Sequence, residues 1–324
     1  TEILRNRKKI FKEVSMLDEI ICIVGPTASG KTGLGIELAK RINAEIISAD
    51  SMQIYKGLDI ATAKVTDEEA QGIKHHLIDI CDPRDKYSVA DFKNMCYDKI
   101  EEIRSRGKNV IVVGGTGLYI SAIVNDMNFK EENVDMEYRE SLYKIAREKS
   151  NEYLHDMLRA VDTESAEKIH MNNVKRVIRA LEMNNNLKQK KSDHMAEEER
   201  RIDSKEFKYK FKVFYISHDR DILYERINKR VDIMMQTGLI DEAKKVYDAG
   251  YDKDCTCMQA IGYKEFFPYF EKVSELEECV EKLKQETRKY AKRQITWFKN
   301  KLETITIDGG MSKEEQVDFI TSNL

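Results

Sequence analysis

The stretch GPTASGKT, residues 25–32, stands between an apolar run, residues 20–24, and a segment of helical periodicity, residues 33–42. Strand, glycine-spaced loop and helix in that order read as a phosphate loop. Gly25 and Gly30 let the backbone aim N–H groups inward, and the helix N-terminus adds partial positive charge where phosphates rest. Lys31 is suited to neutralising phosphate oxygens and Thr32 to ligating Mg2+. A phosphate ligand follows from this stretch, but its identity does not.

Working outward, further β-rich runs fall at 45–48, 110–113, 213–216 and 304–307, with helical periodicity between them. That alternation predicts an α/β fold, a P-loop NTPase-like parallel sheet flanked by helices. In such sheets ligands gather at the carboxyl ends of the strands. The loop, Asp50 and Thr116 all map to that end. From about residue 125 to 201 the strand signal vanishes, which predicts an all-helical insertion within a core made of 1–124 and 202–324. The Lys-, Glu- and Asp-rich segment 188–205 reads as a solvated helix returning to the core.

With 324 residues, 35% of them charged, and a net charge of −3, the chain has the composition of a soluble protein and lacks a globally basic nucleic-acid coat. No apolar stretch approaches the ~20 residues of a membrane span, and no signal core follows the charged residues 1–12, so a cytoplasmic protein is expected. Cys22, Cys81, Cys96, Cys255, Cys257 and Cys279 show neither a paired framework nor zinc spacing, which predicts free thiols. His75 and His76 lack a third ligand at metal spacing and read as residues that orient loops.

Asp50 closes the second strand region within SADSMQIYKGLDIATAK, residues 48–64. It reads either as a helix N-cap or, facing the phosphate loop, as a general base. The strand 110–113 ends in Gly114, Gly115 and Thr116 rather than in the acidic residue an ATPase uses to hold Mg2+, which disfavours routine ATP hydrolysis. Thr116 itself could be a helix cap. Arg226 and Arg230 lie four apart on a predicted helix, 221–237, and either close over phosphates or pair with Asp221 or Glu225. Two basic stripes could meet nucleic-acid phosphates: Lys175, Arg176 and Arg179, and then Arg288, Lys289, Lys292 and Arg293. Tyr290, Trp297 and Phe298 flank the second, and Trp297 and Phe298 read as core.

Taken together, GPTASGKT, SADSMQIYKGLDIATAK, HHLIDI (75–80), YSVADF (87–92), VVGGTGLYI (112–120), RVIRALE (176–182), QAIGYKE (259–265) and KRQITWFK (292–299) resemble the tRNA dimethylallyltransferase family. The likeness is to its bacterial form, without the zinc finger of some eukaryotic relatives, and it spans roughly residues 20 to 300. It implies transfer of a dimethylallyl group from dimethylallyl diphosphate to the exocyclic amine of the adenosine 3′ of the anticodon, with Mg2+. The phosphate loop, Gly25, Pro26, Thr27, Ala28, Ser29, Gly30, Lys31 and Thr32, would then hold a departing diphosphate, helped by Arg226 and Arg230. Asp50 would be the base, and Thr116 would touch the reacting centre or the diphosphate.

By the same resemblance Asp50, Ser51, Met52, Gln53, Thr116 and Arg139 contact tRNA. So do Lys175, Arg176, Val177, Ile178 and Arg179, and likewise Gln259, Ala260, Ile261, Gly262, Tyr263 and Lys264. The target base would be flipped towards Asp50, and Gly262 and Tyr263 would allow close backbone approach and stacking. A monomer is expected. An adenylate isopentenyltransferase or a phosphate-loop nucleotide kinase are the alternative enzymes.

Overall fold

A computed structural model describes residues 17–129, 135–187, 190–204, 207–252 and 255–324. The segment upstream of the family resemblance lies outside these residues. The chain divides into two compact units, 1–124 with 209–324, and 125–208.

The first unit is built on six parallel strands: β1 (Glu19–Val24), β2 (Ala44–Ser48), β3 (His75–His76), β4 (Asn109–Gly114), β5 (Lys210–Ser217) and β6 (Ile305–Asp308), in the order β3-β2-β4-β1-β5-β6. In β1, Ile20, Cys22 and Val24 join one core cluster while Ile21 and Ile23 join the other, the period of two that a strand buried on both faces requires. Below one face, Leu34 and Leu38 of the helix Lys31–Ile42 and Val317 and Ile320 of the helix Lys313–Ser322 pack on Ile23, Ile46 and Phe214. Above the other, Phe92 and Ile100 of Val89–Ser105, Ile120 of Gly117–Val124 and Phe298 of Leu276–Lys301 complete the larger core.

The sequence pattern misses β3. Two histidines carry no strand signal, and only pairing with β2, Ile46 opposite His75 and Ile47 opposite His76, makes them one. The YSVADF stretch acts locally: Ser88 and Asp91 form a reciprocal capping box that starts the helix Val89–Ser105, and Phe92 stacks on Tyr119 at 4.2 Å.

The second unit is helical: Met136–Glu148, Asn151–Val161, Thr163–Lys168, Val174–Leu187 and Lys191–Ser204. Leu142, Leu154, Leu158, Val177, Ile178 and Leu181 form its core. Its last helix runs to Ser204 and β5 starts at Lys210, so the return to the core falls at 208/209 rather than at 201/202.

All six cysteines are free. Among the described residues no helix is long and apolar enough to cross a membrane.

Candidate functional site

The phosphate loop leaves the carboxyl end of β1 and enters the helix Lys31–Ile42 through Gly30, at φ 92°. No side chain caps that helix, so its first amides stay open to an anion. Thr27, Ala28, Gly30, Lys31 and Thr32 line a cleft of about 1340 Å³, whereas Gly25, Pro26 and Ser29 do not. Lys31 Nζ donates to Pro26 O at 2.7 Å. Burial, with the nearby Arg230 guanidinium, pulls the Lys31 ammonium down to about 7 against the opposing pull of Asp50.

Arg226 and Arg230 also line the cleft. Arg226 Nε donates to Ala28 O at 2.8 Å, and Arg230 Nη1 to Thr27 Oγ1 at 3.3 Å. Both therefore face the loop rather than Asp221 or Glu225. Burial lowers the pKa of Arg230, and Asp50 opposes it.

Asp50 lies two residues beyond β2 and lines the same cleft. Its Oδ1 accepts the Met52 amide at 2.9 Å, which fixes the carboxylate. Thr116 does not line the cleft: its hydroxyl accepts the Ser51 amide at 3.0 Å and donates to Ser51 Oγ at 3.2 Å, so it holds the residue next to Asp50. Two glycines before Thr116 make this approach possible. A Cβ on Gly114 would sit 2.2 Å from Ala49 O, and one on Gly115 would sit 2.3 Å from Gln294 Nε2.

Gln294, absent from the sequence-based candidates, bridges both halves of the site. Its Oε1 accepts the Thr27 amide at 2.8 Å and its Nε2 donates to Gly115 O at 2.9 Å, at 5% exposure. Nothing local marks it, since its partners lie more than 170 positions away in the chain.

Gln259, Ala260, Ile261, Gly262 and Lys264 form another wall of the cleft, beside residues 59–66. Gly262, at φ 117°, approaches Ala61 so closely that a Cβ would meet the Ala61 methyl at 2.6 Å. Glu242 organises this wall. Its carboxylate accepts the amides of Asp59, Ile60 and Ala61 at 2.9 to 3.1 Å and the Tyr263 hydroxyl at 2.8 Å.

Tyr263 is therefore a correction: 1% exposed and tied to Glu242, its ring offers no stacking face. Ser51, Met52 and Gln53 line the cleft, but the Gln53 amide already donates to Thr62 O and Ala63 O, both at 3.1 Å. His75 lines the cleft too, with Nδ1 on Ile73 O, whereas His76 pairs with Glu45 at 2.7 Å behind β2.

In the helical unit, Lys175, Arg176 and Arg179 are exposed on one helix. Val177 and Ile178 turn into the core, at 0% and 2% exposure, and present no side chain to RNA. Arg139, partly exposed, forms a two-pronged guanidinium pair with Glu182 at 2.6 and 3.0 Å, and Glu182 is 2% exposed.

On the long helix, Lys289, Lys292 and Arg293 are exposed, while Arg288 binds Asn228 at 2.6 Å. Phe298 is buried, and Trp297 donates to Ser121 Oγ at 3.0 Å against Gly117, which places both in the core.

Phosphate loop and Asp50 carboxylate thus share one cleft at the carboxyl end of a parallel sheet. The IPP transferase family model matches residues 53–301, and the chain belongs to that family.

The tRNA dimethylallyltransferase of Bacillus subtilis (strain 168) is 50% identical over 311 residues, covering 94% of this chain and 97% of the relative. The enzyme of the same name from Acetivibrio thermocellus is 50% identical over 289 residues, covering 89% and 91%. The crystal structure of the full-length tRNA isopentenylpyrophosphate transferase of Bacillus halodurans superposes with a TM-score of 0.69 at 43% identity, over 95% of each chain. A eukaryotic dimethylallyltransferase acting on tRNA reaches a TM-score of 0.77 at 29% identity, over 94% of this chain and 80% of that one.

Proposed function

We propose that this protein transfers a dimethylallyl group from dimethylallyl diphosphate to the exocyclic amine of the adenosine 3′ of the anticodon in tRNA, releasing diphosphate. The observation that carries this reading is that Lys31 and Thr32 line one cleft with Asp50. The names borne by the relatives support tRNA as the acceptor and dimethylallyl as the group transferred.

An adenine amine is a weak nucleophile because its lone pair is delocalised into the ring. Attack on the allylic carbon therefore needs a stabilised leaving group and a proton acceptor. The new N–C bond forms as the C–O bond to diphosphate breaks, and the amine proton passes to Asp50. With Oδ1 held by the Met52 amide, the second carboxylate oxygen takes that proton. Lys31, Arg230 and the open amides at the helix N-terminus receive the charge that builds on the diphosphate, each charged hydrogen bond contributing about 1.5–3 kcal/mol.

Mg2+ fits the donors present. The Thr32 hydroxyl is a hard oxygen donor lining the cleft, of the kind Mg2+ takes beside phosphate oxygens and water. Thr32 would hold it against the diphosphate, where it would neutralise leaving-group charge. Lys175, Arg176 and Arg179 would bind phosphates of the anticodon stem, and Gln259 and Lys264 would meet the loop.

The test is transfer of label from radiolabelled dimethylallyl diphosphate, with Mg2+, to unmodified tRNA, AMP or ATP. Label entering tRNA alone is expected. Label entering free nucleotide makes the protein an adenylate isopentenyltransferase instead. Asp50→Ala should slow the single-turnover step about 100-fold while tRNA affinity holds, and an unchanged rate removes Asp50 from the mechanism.

A further inference from the structure

Three consecutive carbonyls of the phosphate loop, those of Ala28, Ser29 and Gly30, each accept a hydrogen bond from a basic side chain of a distant element. Arg226 Nε reaches Ala28 O at 2.8 Å, His218 Nε2 reaches Ser29 O at 3.0 Å, and Lys313 Nζ reaches Gly30 O at 3.0 Å. Of the three, His218 and Lys313 do not line the cleft.

A carbonyl and the amide that follows it point in opposite directions across one planar peptide. Pinning Ser29 O and Gly30 O on the side of His218 and Lys313 therefore turns the amides of Gly30 and Lys31 the other way. Those two residues line the cleft.

The fold fixes both donors firmly. His218 directly follows β5, and its ring lies so close over Gly309 that a Cβ there would stand 2.2 Å from His218 Cε1. The Gly309 amide in turn donates to Ser217 O at 2.7 Å, tying the end of β6 to the end of β5. Because a carbonyl only accepts, His218 Nε2 carries the proton. Lys313 is the first residue of its helix, set there by a capping box between Ser312 and Glu315. Gln316, 2% exposed, fastens that helix to Asp308 O at 3.1 Å. Lys313 lies beyond residues 53–301, the stretch matched by the family model.

We propose that His218 and Lys313 are positioning residues for diphosphate: they hold the loop in its anion-receiving conformation from outside the cleft and touch neither substrate. This inference rests on the function proposed above only in naming diphosphate as the loop's ligand.

The test measures inorganic pyrophosphate binding to the full chain by titration calorimetry with Mg2+, beside tRNA binding and the steady-state constants. His218→Phe keeps a flat ring over Gly309 without its N–H, Lys313→Met keeps the stem without its charge, and Lys313→Arg keeps a donor. Pyrophosphate affinity and the KM for the diphosphate substrate should worsen about tenfold in the first two variants. Affinity for tRNA should stay within twofold, and Lys313→Arg should restore pyrophosphate binding. Faster hydrogen exchange at residues 27–31 in the first two variants is also expected.

Pyrophosphate affinity within twofold of the parent overturns the proposal. So does an equal loss of tRNA affinity, which would mark general loosening, or a loss in Lys313→Met that Lys313→Arg leaves unrepaired. A parent protein that binds pyrophosphate yet alkylates nothing defeats the functional reading alone, because the variants are still compared on the same ligand.

Discussion

Lys31 shows how burial sets the chemistry of a single residue. Drawn down to about 7 by burial and Arg230, it is half-charged near neutrality in the free protein, and a bound diphosphate must raise it again. Binding at pH 8 should therefore take up close to one proton, and at pH 6, where Lys31 already holds its proton, almost none. Calorimetry of pyrophosphate binding in two buffers of different ionisation enthalpy, with Lys31→Met as reference, measures this; equal uptake in parent and variant would place the titrating group elsewhere. Lys31 and Thr32 were legible in the sequence because a phosphate loop is a contiguous backbone device. Gln294, Glu242, His218 and Lys313 were not, since each acts on a backbone segment more than 170 positions away or, for Gln294, on two such distant segments at once.

At the scale of elements, five strands followed from apolar runs, and β3 did not, because its two histidines owe their strand geometry to β2 alone. The start of β2 is fastened by Glu45, whose carboxylate takes Lys108 at 2.9 Å, His76 at 2.7 Å and Arg106 at 2.7 Å. Burial opposes its charge, but these three partners together hold it at about 2. A depressed carboxyl lends stability above its unfolded value, near 4.5, and loses it as pH falls towards 2. Glu45→Gln should cost about 1–2 kcal/mol at pH 7, allowing for solvent screening of Arg106 and Lys108, and the gap from the parent in urea unfolding should narrow between pH 4.5 and 3. A gap constant over that range would refute the assignment.

On the helix Val174–Leu187 the period of 3.6 turns Val177 and Ile178 into the core and leaves Lys175, Arg176 and Arg179 exposed. Replacing only the three exposed cations by Ala should leave the melting temperature within about 2 °C, since exposed charges contribute little to stability. The slope of log affinity for tRNA against log salt should become shallower by about 2. An unchanged slope would show that RNA phosphates lie elsewhere.

For the whole molecule, the fold class and the helical character of the middle segment were readable from composition and period, whereas the return point was not. Segment 188–205 is charged throughout, and nothing in its pattern marks where helix ends and sheet resumes. The sheet order has one more result, seen in the sequence of synthesis. Strand β1 pairs with β4 on one side and with β5 on the other, and the whole helical unit is made before β5 exists. At roughly 5–20 residues per second, the apolar edge of β1 waits several seconds on the ribosome without its second neighbour. A fragment of residues 1–124 should accordingly aggregate, and co-expressing 209–324 should rescue it into solution; a soluble, monomeric fragment would show that the nascent edge is guarded by something other than β5.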